Sequence, residues 1–250
     1  MNNAKIGLLT TLLLGVFIII GSLLAFLVKK KDKVVDFSIG LALGVIGMLL
    51  ITDLLPEIIE NLGIKHIFIF IICTVIGYGI LKLLDHFIPD HEESSMTKKD
   101  YKENLIHIGV ITSCALVLHN IIEGMAVYST FLTDSKLGLA VTLGVGFHNI
   151  PLGMVIAATF YQSNDNIWKT LSIIGFVSLS TFLGGLIMFF LDLTTISSIL
   201  LGVLLSLTLG MLLFIVTSEL IPRVKASSDK KTSYVGITIG VVLLLLSQLI

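Results

Sequence analysis

Eight apolar runs, most of them joined by short polar links, constrain this chain more than any other feature. They fall at roughly 6–28, 36–59, 66–87, 105–130, 138–160, 168–191, 196–221 and 233–250. Each approaches the ~20 residues an α-helix needs to cross the hydrocarbon core of a bilayer. The expected fold is therefore all-α: a polytopic membrane protein with eight transmembrane helices. One membrane domain, residues 1–250, accounts for the whole sequence. The long polar stretch at about 88–104, containing "PDHEESSMTKKDYKEN", reads as a solvated loop.

Composition agrees. Charged residues make up 13% of the chain, against about 25% in soluble domains, and the mean hydropathy is +1.03. A net charge of −1 offers no bulk field for nucleic acid. The first run is too long for the apolar part of a signal peptide, about 7–15 residues. The "KKKDK" after it offers no small-residue cleavage site, so it reads as the first span. Cys73 and Cys114 lie inside apolar runs and follow neither a zinc motif nor a disulfide framework, so they read as small core residues.

Basic residues orient the spans. The links after spans 1, 3, 5 and 7 hold Lys29, Lys30, Lys31, Lys33, Lys98, Lys99, Lys102, Lys169, Arg223, Lys225, Lys230 and Lys231. The other side holds Lys5, Lys65 and Lys136. The basic links are expected in the cytoplasm and both termini on the extracytoplasmic side of the cell membrane. A weaker signal is internal. Span 2 ends in "TDLLPE" and span 7 in "SELIPR", each with an acid three residues before a proline. Those spans run in opposite directions, which suits an inverted repeat of spans 1–3 and 6–8 with spans 4 and 5 between, a 3+2+3 arrangement.

Polar residues inside the spans point to chemistry. "HNIIEG" (His119 to Gly124) and "HNIPLG" (His148 to Gly153) sit at the middle of spans 4 and 5. His119 lies about 21 Å along its helix from Leu105, and Glu123 follows one turn later on the same face. Asn120 and Asn149 sit beside the two histidines. An ionised carboxylate at the bilayer centre costs about 2.5 kcal/mol or more without a partner. Two imidazoles and a carboxylate at one depth suggest a divalent cation, and nitrogen with oxygen donors suits zinc and other transition metals. Pro151 cannot donate to the carbonyl of Phe147, so a break in the helix beside His148 is expected.

These residues resemble the ZIP (Zrt/Irt-like) family of divalent metal transporters, in its bacterial branch. The likeness covers essentially the whole chain, and the paired His-Asn motifs are its specific part. The resemblance implies a two-metal site on the fourth and fifth helices. One position maps to His119, Glu123 and His148. The second would use Asn120, Asn149, the shared Glu123 and two further glutamates, which here are Leu152 and Thr181. Phe182 replaces a proline in the same motif. One dication beside Glu123 leaves a local charge of about +1, whereas two leave about +3 in low dielectric. One well-formed position is therefore expected, and a poor or absent second one.

Other polar residues suggest a path. Asp53 and Glu57 would collect cations at the outer end of span 2, and His107, Ser218 and Glu219 would pass them out at the inner side. Asp85, His86, Asp90, His91, Glu92 and Glu93 form a stretch that could chelate metal loosely, or be plainly solvated. The expected activity is inward carriage of a divalent metal, without enzymatic chemistry. Zinc is favoured over Fe2+, Mn2+, Co2+ and Cd2+, although the donor set admits all of them. A cation channel is an alternative, and an intramembrane hydrolase a lesser one: no H-E-x-x-H is present, and Glu123 would already ligate. The expected partners are the metal and membrane lipid, with no cofactor and no nucleic acid; a homodimer stays open.

Overall fold

The computed structural model describes residues 3–27, 31–87, 98–163, 166–227 and 229–249. Asp90, His91, Glu92 and Glu93 lie outside that set. Eight helices are long and apolar enough to cross a membrane. They are span 1 (Asn3–Leu27), span 2 (Lys33–Leu62), span 3 (Ile64–Phe87), span 4 (Leu105–Thr133), span 5 (Ser135–Tyr161), span 6 (Ile167–Phe190), span 7 (Ser198–Ala226) and span 8 (Lys230–Ser247). No strand occurs among the described residues. Large apolar side chains such as Phe68, Ile72, Phe176 and Phe190 are exposed on the outside, as lipid contact requires.

Several boundaries differ from the sequence reading. The helix of span 4 begins at Lys98, so residues 98–104 prolong it into the polar stretch expected to be loop. Lysine and glutamate are good helix formers, and an established helix propagates cheaply. The expected break at Pro151 is absent: Ser135–Ser163 is one helix with that proline inside. Cys114 is exposed and Cys73 half-buried, so neither is a core residue.

Pro56 and Pro222 are not at helix ends. Span 2 passes through a π-helical segment, Leu50–Leu54, and continues as α-helix over Leu55–Leu62. Span 7 does the same through Ile215–Leu220 and Ile221–Ala226. Proline has no N–H to give and crowds the carbonyl four residues back. A π turn bonds one residue further along and carries one extra residue in its loop, which absorbs the misfit. Each proline then sits in the first turn of the next α segment, where a missing N–H costs little. Asp53 and Glu219 thus lie within π segments rather than at helix tips.

Four helix pairs are joined through reciprocal glycines. Gly21 of span 1 abuts the Ile150 carbonyl of span 5, and Gly153 returns the contact at Ile18. Gly124 of span 4 meets the Thr181 carbonyl of span 6, and Gly184 meets Ile121. Spans 2 and 8 join through Gly40 at Ser233 and Gly236 at Phe37, spans 3 and 7 through Gly77 at Leu207 and Gly210 at Thr74. Lipid offers no hydrophobic drive for helix association, so close backbone approach supplies the attraction. Ser22 adds a cross-span hydrogen bond, donating to the Gly153 carbonyl at 3.0 Å. Spans 1, 4, 5 and 6 pack mainly on one another, and span 5 also meets spans 2 and 8. The mid-span motifs of spans 4 and 5 are thereby held on two glycine seams.

A methyl at Gly124 must push back the span 6 backbone, whereas one at Gly175 meets open space. Gly124→Ala is expected to lower unfolding stability in detergent by about 1–3 kcal/mol. Gly175→Ala is expected to change it by less than about 0.5 kcal/mol or to raise it slightly. Denaturation curves of the two variants beside wild type check this.

Candidate metal centre

His119 and Glu123 stand one helical turn apart on span 4, and His148 meets them from span 5. One donor atom from each lies within 4.8 Å of the other two. His148 Nε2 is 3.0 Å from Glu123 Oε1, and His119 Nε2 is 3.5 Å from the same oxygen. The His119 nitrogen makes no hydrogen bond. Zinc binds His and carboxylate at about 2.0–2.2 Å, which separates tetrahedral ligands by about 3.4 Å. The two observed separations bracket that value. The histidines are both 5% exposed and Glu123 is half-buried.

The asparagines divide. Asn149 donates from Nδ2 to Glu123 Oε2 at 3.3 Å, fixing the carboxylate from the side opposite the histidines' shared oxygen. Asn120 donates instead to the Val177 carbonyl of span 6 at 3.2 Å. The Oδ1 atoms of both asparagines are buried without a hydrogen bond, as is the Thr181 hydroxyl. Leu152 and Thr181 are fully buried at the positions where the family resemblance places carboxylates. Of the residues the resemblance assigns to the second position, Glu123 alone is charged, and the others are neutral.

A cavity of about 320 Å³ adjoins the triad. Its walls include Asp53 and Glu57 of span 2, Thr130 of span 4 and Leu205 of span 7, together with His119, Glu123 and His148. The two acids expected at an entrance and the three expected ligands thus share one space. Asp53 accepts a hydrogen bond from Thr52 Oγ1 at 2.8 Å.

Of the residues expected at an exit, His107 and Glu219 meet and Ser218 does not join them. His107 is 2% exposed rather than interfacial. Its Nε2 lies 2.7 Å from Asp85 Oδ1 and 3.6 Å from Glu219 Oε1. These three donors form a second compact group, from spans 4, 3 and 7. Ser218 is exposed, with its hydroxyl 3.5 Å from that of Tyr78. By sequence Asp85 belongs only to a stretch that could chelate metal loosely. Its place in the last turn of span 3, level with the start of span 4, is the signal that singles it out.

Comparison with known proteins supplies an independent line. A family model described as "ZIP Zinc transporter" matches residues 89–248. A protein named zinc transporter ZupT from Clostridium perfringens (strain 13 / Type A) is 29% identical, the alignment covering 100% of this chain and 97% of that one. Another of that name, from Oceanobacillus iheyensis, is 26% identical over 100% of this chain and 99% of its own length. A third, from Escherichia fergusonii, is 24% identical over 98% and 97%.

The neutral second position makes a stoichiometric test available. Purified wild type is expected to bind about one zinc ion per chain tightly, and Leu152→Glu about two, because an added carboxylate offsets the second charge. Leu152→Gln, equal in size and uncharged, is expected to stay at about one. Metal analysis after desalting checks all three.

Proposed function

The chain belongs to the ZIP family of zinc transporters, and on that footing we propose that it carries zinc into the cytoplasm through His119, Glu123 and His148. It is a multi-pass membrane transporter of divalent metal rather than an enzyme. One observation carries the assignment of residues: a buried carboxylate faces two imidazoles at metal-ligand spacing in the middle of adjacent spans. A dication there neutralises Glu123 without a proton, and neutral imidazoles complete the shell. Three protein ligands leave one coordination position for water, which an ion in transit needs in order to exchange.

The path follows from charge. The excess of Lys and Arg in the links after spans 1, 3, 5 and 7 supports an orientation with both termini outside and the cavity of Asp53 and Glu57 on the outer side of the triad. Acid side chains in a cleft concentrate dications at its mouth. The Asp85, His107 and Glu219 group lies on the inner side, with His107 about 18 Å along span 4 from His119. It serves as a second station before release. Between the two, Ile111, Ala115 and Leu116 are buried, so the inner half is closed in this conformation.

The helix packing supports the inverted repeat. Spans 1, 2, 3 and 4 map on 6, 7, 8 and 5. That mapping turns the glycine seam between spans 1 and 5 into the one between 6 and 4, and the seam between 2 and 8 into that between 7 and 3. It also sets one π segment and its proline on the other. Iron, manganese, cobalt and cadmium fit the same donor set, and zinc is favoured by the imidazole pair.

Radiozinc uptake into proteoliposomes tests the reading. Wild type is expected to take up zinc saturably, while His119→Ala and Glu123→Gln reduce the rate at least about tenfold. Unlabelled competitor metals rank the preference. Equal uptake by all three proteins removes the triad from the pathway, and uptake that never saturates favours a channel.

A further inference from the structure

The end of span 8 bridges spans 5 and 2. Ser247 sits against span 5, its carbonyl beside Gly144, one turn before His148. The neighbouring Gln248 reaches the other way, to the π segment of span 2. Its Nε2 donates to Asp53 Oδ1 and to Thr52 Oγ1. Thr52 in turn donates from its hydroxyl to the same Asp53 Oδ1 and, as the alternative acceptor, to the Met48 carbonyl. Both donors to Asp53 therefore hold one oxygen. Oδ2 receives no hydrogen bond among the described residues, and Asp53 is part of the cavity wall.

We propose that Gln248 is a positioning residue for ion capture: it pins one oxygen of Asp53 so that the other is presented to an entering divalent cation. The inference rests on the transport reading above and adds to it a residue outside the metal ligands. A carboxylate held only by its neighbour Thr52 turns freely about its side-chain torsions. A second donor from another span fixes its plane, and the amide is suited to this because it donates without bringing a positive charge to repel the ion. Thr52 and Asp53 both lie in the π segment, side by side where Gln248 meets them. Gln248 touches Asp53 and not the triad, so its influence falls on capture rather than on the step at His119 and His148.

The test is radiozinc uptake by full-length protein in liposomes, normalised to reconstituted protein. Gln248→Ala is expected to raise KM about three- to tenfold, the loss of one hydrogen bond to a charged group, with kcat changed less. Gln248→Met fills the same space without a donor and is expected to match alanine. In an Asp53→Asn background, Gln248→Ala is expected to add nothing, the mark of two residues acting as one unit. A wild-type KM in Gln248→Met identifies mere packing and overturns the proposal, as does full additivity with Asp53→Asn. Failure of the underlying reading looks different. In that case wild-type and His119→Ala proteins take up zinc equally, whatever stands at 248.

Discussion

A carboxylate buried at the middle of a membrane protein must share its charge, and the arrangement around Glu123 is organised by that need. His148 and His119 approach one of its oxygens and Asn149 donates to the other. None of these neighbours carries a permanent positive charge. The charge of Glu123 is therefore offset in full only by a cation or a proton. The glycine seams serve the same end. Span 5 is held on span 1 through Gly21 and Gly153, and span 4 on span 6 through Gly124 and Gly184. The backbones are set by these seams, which bring the three side chains of spans 4 and 5 together, with His148 at hydrogen-bond distance from Glu123 and His119 a little further off.

The second position implied by the family resemblance differs in charge at two residues. Where the resemblance implies two carboxylates, Leu152 and Thr181 are buried and bring no negative charge. Asn120 and Asn149 keep oxygens there, buried and without hydrogen bonds. Neutral oxygens offset the charge of a dication poorly, and that of two adjacent dications worse, which is the basis of the expected single ion beside Glu123.

Much of this was legible in the sequence, for identifiable reasons. Eight spans follow from run length alone, because the bilayer fixes a minimum for each. The pairing of His119 with Glu123 follows from helical periodicity, and His148 from its matching depth in the next span. The sequence was less informative wherever backbone geometry departed from the regular helix. Pro56 and Pro222 signalled a disturbance, but a proline can end, kink or be accommodated by a helix, and only the fold shows that π turns absorbed both. Pro151 went the other way, inside an unbroken helix. Gln248 meets Asp53 across most of the length of the chain, and no local pattern encodes such a meeting, whereas Asp85 and His107 come from the facing ends of consecutive spans and only their depth hints at the contact.

The π segments have a further consequence. One additional residue in a turn delays the helical phase by about 100° for everything beyond it. The faces of span 2 before Leu50 and after Leu54 are thus out of step with a single uniform wheel drawn through the whole span. Removing one residue there, commonly ruinous inside a membrane helix, would restore ordinary winding and swing Asp53 away from its neighbours while leaving the inner two-thirds of the span seated. Such a segment is a vernier: the length of the chain, counted in single residues, sets the azimuth at which an acid meets the pathway.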